Sequence, residues 1–196
     1  MRKSMLWSFL ISQIIFFSLF PVWMQLTSYL HPIVMGVVWL LVFIIVLFII
    51  CLLNGVKIPI RKRSLHVFML IYSIGLLVLL FFRPNGASYG AVNLMPFETI
   101  QLYLSGNADF LIAFYNLGAN IGLFIPFGVY YGFIKNVASI NHLLMITICS
   151  ISLIEVLQFL TKRGSLDIDD LLLNTVGVCL GYMLLPFFRR VIMMKY

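Results

Sequence analysis

Residues 33–53 read IVMGVVWLLVFIIVLFIICLL, a run without one charged, amide or proline residue. A bilayer core about 30 Å thick takes about 20 helical residues to cross, so this run is long enough to span. It is also apolar on every face, which a surface helix of a soluble protein is not. Working outward, similar runs fall at roughly 5–27, 65–82, 117–134, 141–160 and 171–188, each near the length a span demands. Composition agrees: of 196 residues, 63% are hydrophobic and only 10% charged. With a mean hydropathy of +1.10, the chain lacks the polar surface a soluble globule needs. The fold expected is an all-α integral membrane protein, a polytopic helical bundle of about six transmembrane helices. Arg2 and Lys3 precede an apolar stretch from Met5, but no small-x-small cleavage site follows Pro21, so the first helix is read as uncleaved.

The connection from Arg83 to Asn116 is too polar to span and too apolar to be a free loop. Its second half sets Phe97, Ile100, Leu102, Tyr103, Phe110, Leu111 and Phe114 among polar residues, the pattern of an interfacial or re-entrant segment after the third helix. The chain is therefore divided into an amino-terminal transmembrane hairpin at 1–64, a main transmembrane domain at 65–188 and a basic tail at 189–196.

Charge sets the orientation. With the amino terminus inside, ten of the thirteen basic residues fall on inner segments: Arg2, Lys3, Lys57, Arg61, Lys62, Arg63, Lys135, Arg189, Arg190 and Lys195. The positive-inside bias then puts both termini in the cytoplasm of a multi-pass cell-membrane protein. All six acids, Glu98, Asp109, Glu155, Asp167, Asp169 and Asp170, belong to the outer half. Topology does not require that asymmetry, since acids contribute little to it. An outward-facing functional surface is the simplest cause. The formal charge of +7 does not indicate nucleic acid, because the basic residues flank spans instead of forming a patch with polar readers.

Three motifs carry the chemistry. Residues 155–182 read EVLQFLTKRGSLDIDDLLLNTVGVCLGY. Glu155 and Gln158 share a helix face just below the outer surface. An ionisable residue at mid-helix costs about 2.5–3.5 kcal/mol on the insertion scale, which points to a site residue; a structural Glu satisfied by a neighbouring helix is the alternative. Lys162 and Arg163 precede a turn at Gly164, and Asp167, Asp169 and Asp170 stand at the mouth of the last helix. One aspartate is explained as a helix cap; the others are paired, solvated or used. Asn174, Gly177 and Gly181 continue the Asp170 face, and the glycines form a small-xxx-small edge.

Residues 116–128 read NLGANIGLFIPFG. Asn116 and Asn120 lie one turn apart, with Glu155, Gln158 and Asn174 as expected partners, while Gly118 and Gly122 offer a second small-xxx-small edge. A kink is expected at Pro126. Residues 93–100, NLMPFETI, put Glu98 in a first helical turn on the same membrane side.

In this order, NLMPFETI, then NIGLFIPFG, then Glu155-x2-Gln158 followed by Arg163-x3-Asp167-x-Asp169-Asp170-x3-Asn174-x2-Gly177, the chain resembles the VanZ-like family over roughly residues 83–182. Asn93, Pro96, Phe97, Asn120, Phe124, Pro126, Phe127, Gly128, Glu155, Gln158, Arg163, Asp167, Asp170, Asn174 and Gly177 carry the likeness. It implies a small polytopic bacterial protein linked to reduced susceptibility to teicoplanin and related lipoglycopeptides.

Nucleotide loops, HExxH and a nucleophile elbow are absent. Cys51, Cys149 and Cys179 are widely spaced within apolar runs, without a metal-binding pattern. His31, His66 and His142 stand singly near helix ends. Two functions compete. One is a factor that binds an amphiphile at the outer leaflet, a lipoglycopeptide or a lipid-linked cell-wall precursor, through a pocket of Asn93, Glu98, Asn116, Asn120, Glu155, Gln158, Arg163, Asp167, Asp170 and Asn174. The other is a membrane-embedded enzyme on a lipid-linked substrate, with Glu155 as catalytic acid or base and Asp167, Asp169 and Asp170 as ligands of a divalent cation. No other cofactor and no nucleic-acid partner is expected. A third, purely structural reading gives the polar residues only the task of joining helices.

Overall fold

The computed structural model describes residues 2–27, 33–81, 92–105, 110–135 and 139–195. Among these the helices are α1 (Arg2–Ser18), α2 (Phe20–Thr27), α3 (Ile33–Leu53), α4 (Lys62–Phe81), α5 (Glu98–Leu104), α6 (Phe110–Ile134), α7 (Ile140–Leu160), α8 (Ile168–Met183) and α9 (Leu185–Val191). Short strands occur at β1 (Ile58–Arg61), β2 (Val92–Asn93), β3 (Leu166–Asp167) and β4 (Ile192–Lys195).

Among the described residues four helices are long and apolar enough to cross a membrane: Met35–Leu53, Lys62–Phe81, Leu117–Ile134 and Ile140–Leu160. A fifth is added if the bent pair α8 and α9 counts as one span. The all-α membrane bundle is thus present, and the difference from six spans has local causes. The expected first span is divided at Leu19, leaving a shorter apolar helix, Lys3–Ser18. The last expected span is divided at Leu184. Side chains such as Leu53, Leu70 and Met145 stand exposed along these helices, as they must where lipid is the solvent.

Two compact units divide the chain: Met1–Pro59 with Phe187–Met193, and Ile60–Pro186 with Met194–Tyr196. In the first, α1 runs against α3. Ser8, Ser12 and Phe16, spaced by four, are buried and mark one face of α1. The two serine hydroxyls bond back to the carbonyls of Ser4 at 2.7 Å and Phe9 at 2.8 Å. Trp39 Nε1 donates to Gln13 Oε1 at 3.0 Å, and Phe9 meets Phe43 edge-on.

The second unit is organised by α6 and α8. A Cβ on Gly177 would fall on the carbonyl oxygen of Ile121, one on Gly181 on that of Ile125, and one on Gly128 on that of Val178. The two backbones therefore touch, the arrangement that replaces hydrophobic attraction between helices in lipid. The α8 edge of this contact follows the sequence expectation; the α6 edge does not. Gly118 and Gly122 have nothing within 4 Å of an added Cβ among the described residues. What α6 offers is Gly128 and the bare carbonyls of Ile121 and Ile125. Helix α6 also runs on through Pro126 as one element. Tyr72 of α4 donates to the Leu123 carbonyl at 2.8 Å, next to the Gly122 carbonyl that proline deprives of its helical donor.

Candidate functional site

The interfacial segment is held by a parallel pairing of β2 with β3, Val92 opposite Leu166 and Asn93 opposite Asp167. These residues lie far apart in sequence, and the pairing lays the NLMPFETI motif beside the LDIDD motif. Asn93 Oδ1 then accepts the Met95 N–H at 3.1 Å, an Asx turn that redirects the chain. Phe97 adopts a left-handed conformation, φ 69°, and α5 begins at Glu98 without a cap from its own side chains.

Asp169 supplies that cap from another element. Its Oδ1 accepts the Phe97 N–H at 2.6 Å and its Oδ2 the Ile100 N–H at 3.1 Å. The side chain is fully buried, and a carboxylate at a helix N-terminus suits both the unpaired N–H groups and the dipole. Asp167 caps α8 in turn, its Oδ1 accepting the Asp169 N–H at 2.9 Å. The three aspartates expected as cation ligands therefore take separate tasks. Among the described residues no group of three or more His, Cys, Asp or Glu side chains is placed to hold a metal ion.

Asp170 faces α6, and its Oδ1 accepts from Asn120 Nδ2 at 2.5 Å. This corrects the expected partners of Asn120: the amide meets the third aspartate, not Glu155, Gln158 or Asn174. Asn174, one turn further along α8, is buried, and its Oδ1 has no hydrogen-bond partner among the described residues. Glu155 reaches this neighbourhood from α7. The backbone N–H of Asp167 bonds its carboxylate, and Asp170 and Asp167 act on it electrostatically. It is only 7% exposed, and its Oε2 is buried with no partner among the described residues.

Gln158 has a different task from the one expected. Gln158 is buried but donates to the Leu80 carbonyl at 3.0 Å, so it ties α7 to the end of α4. Gly164 packs on that same side chain. The left-handed residue of the intervening turn is Lys162, φ 53°, not the glycine. Glu98 and Arg163 are exposed. The Asn116 side chain, Arg83, Asp109 and His31 lie outside the described residues.

Register along the helices gives the site a floor. Asn120, Glu155 and Asn174 each lie four residues from Phe124, Ile151 and Val178 respectively, which are buried members of the apolar core. One helical turn thus separates Asn120, Glu155 and Asn174 from an apolar layer, and together with Asp170, one turn beyond Asn174, they form a polar layer. The residues that sequence reasoning missed are the backbone partners, above all the N–H groups of Phe97 and Ile100 that occupy Asp169. No side-chain pattern could have revealed them.

What the fold and this layer define is a polytopic helical membrane protein with an acceptor-rich cluster buried at one end of its bundle. The chain belongs to the VanZ/LLP1 family, whose model matches residues 67–189. That match contains every residue of the polar layer and leaves α1 to α3 outside it. No curated protein and no solved structure matches the chain.

Proposed function

We propose that this protein is a cell-envelope factor that binds the polar group of an amphiphile at the Glu155–Asp170–Asn174 layer, and thereby lowers susceptibility to teicoplanin or related lipoglycopeptides. One observation carries the reading: among the described residues, Glu155 Oε2 and Asn174 Oδ1 are buried acceptors without donors. A buried acceptor left unpaired costs about 1–3 kcal/mol, and more when charged. A ligand that brings hydroxyl or ammonium donors offsets that cost. The layer is thus matched to a sugar or an amine rather than to a phosphate, which the neighbouring carboxylates repel. A lipoglycopeptide and a lipid-linked cell-wall precursor both carry sugar hydroxyls on an apolar anchor.

The test compares growth inhibition by teicoplanin and by vancomycin in a susceptible strain with and without the gene. Protection against the lipid-bearing drug alone is the expected result. Equal protection against both, or none, overturns the resistance reading. Purified protein incubated with a lipid-linked precursor and Mg2+ should return it unchanged. A new product would instead make Glu155, with one oxygen held and the other free, the acid or base of an enzyme.

On this reading the acidic end of the bundle faces outward and the basic end, with both termini, lies in the cytoplasm, following the distribution of Lys and Arg. Gln101 is exposed on α5, so Gln101→Cys in a background lacking Cys51, Cys149 and Cys179 should react with an impermeant maleimide in intact cells. Labelling only after lysis would reverse the orientation.

A further inference from the structure

The second unit holds a half-open cavity of about 530 Å³ among α4, α6, α7 and α8, within the roughly 300–1,000 Å³ usual for small-molecule sites. Its wall is largely apolar, from Leu76 and Leu77 across to Ile146, Ile151 and Ile154. Phe124, Ile151 and Val178 are both lining residues and members of the buried core, and the lining extends past them to Ile154. None of Asn120, Glu155, Asp170 and Asn174 belongs to that lining.

The opposite limit of the cavity has a different chemistry. His66, Tyr130, Tyr131 and Lys135 belong to the lining there. His66 Nδ1 meets the Tyr130 hydroxyl at 2.7 Å, and Tyr131 meets His142 Nδ1 at 3.0 Å, so two of the histidines that stand singly in sequence are fixed by tyrosines. Lys135 is exposed at the end of α6. Lys62 and Arg63 open α4 at the same end but outside the lining, since the far end of α4 is the one that meets Gln158. No acidic residue lines the cavity, and all described acids of this unit belong to the other end or to α7 one turn beyond Ile151.

We infer that this cavity holds an acyl chain of an anionic phospholipid of the bilayer, with the headgroup at Lys135. The chain segment of α7 from Leu143 to Ile154 rises by about 16 Å, a depth suited to a hydrocarbon tail lying along it. Charge decides between possible lipids: a basic rim without a carboxylate selects an anionic headgroup over a zwitterionic one. The inference does not rest on the reading of the polar layer, because it uses none of its residues.

Purified protein incorporated into vesicles of equal parts phosphatidylglycerol and phosphatidylcholine, then extracted in mild detergent and analysed by native mass spectrometry, tests it. Wild type should retain phosphatidylglycerol about fivefold over phosphatidylcholine, the effect of one basic residue beside an anionic headgroup. Lys135→Ala should bring the ratio near one. Ser150→Trp, which fills the cavity from an exposed lining position, should abolish retention of both lipids while the protein stays monodisperse. Should that variant aggregate, Ile146→Trp, also exposed on the lining, takes its place. Equal retention of the two lipids by wild type, a preference that survives Lys135→Ala, or undiminished retention in a folded tryptophan variant would each overturn the inference.

Discussion

Gly181→Ala is expected to destabilise the second unit by about 2–3 kcal/mol, the upper range for forcing one methyl group into a packed interior, whereas Gly118→Ala and Gly122→Ala should be neutral or stabilising. The direction follows from what each Cβ would meet. At Gly181 it lands on the Ile125 carbonyl oxygen, and at Gly177 on that of Ile121. A carbonyl within a helix cannot swing aside as a flexible side chain can, so the helices must separate. Separation also loses the dispersion contacts, and the Cα–H···O contacts such close backbones allow, that hold helices together in lipid. At Gly118 and Gly122 nothing stands in the way among the described residues, and alanine is the better helix former by about 1 kcal/mol. Unfolding in detergent micelles, followed by circular dichroism against denaturant, measures all three variants. A Gly177→Leu, Gly181→Leu double variant should not assemble at all. Wild-type stability in Gly181→Ala would mean that α6 and α8 are not in backbone contact.

The contrast between these glycines shows what the sequence carries and what it withholds. Span positions were legible because they rest on composition alone: the runs around α3, α4, α6 and α7 need no partner to be recognised. The glycine edge of α8 was also legible, since Gly177 and Gly181 sit at helical spacing beside Asn174. The same pattern at Gly118 and Gly122 was misleading, because small-xxx-small spacing says that a helix can be approached and not that it is. Helix ends were blurred at Leu19 and Leu184, where apolar sequence continues although the helix does not. The acidic motif shows the limit most clearly. Three aspartates within four residues look alike in sequence, yet Asp167 caps its own helix, Asp169 caps α5 and Asp170 binds Asn120. Their separation depends on the β2–β3 pairing, which brings residues 92–93 against 166–167. Such a pairing of two-residue strands leaves no periodicity to read.

Glu155→Gln is expected to keep the fold and lose the ligand, with affinity falling at least about fivefold, since a buried polar group left unpaired costs about 1–3 kcal/mol. The substitution preserves shape. Its remaining carbonyl oxygen can still accept the Asp167 N–H that holds the carboxylate in place, and the uncharged amide removes repulsion from Asp170 and Asp167. Fold stability should therefore be unchanged or slightly raised. The group that replaces Oε2 is a donor where an acceptor stood, so a ligand hydroxyl or ammonium meets a donor of like polarity. Expression level, denaturant midpoint and protection against teicoplanin, measured together, separate the two roles. A normal midpoint with lost protection identifies Glu155 as a binding group. A midpoint that collapses would make it a structural strut between α7 and the start of α8. Full protection in a folded Glu155→Gln protein would remove the charge from the recognition chemistry and sink the assignment of the polar layer as the site. Asn174→Leu provides the independent arm: it deletes the second orphaned acceptor without touching a carboxylate. On the binding reading it weakens protection while relieving a buried unpaired group, which separates affinity from stability at a residue where a structural role predicts that both change together.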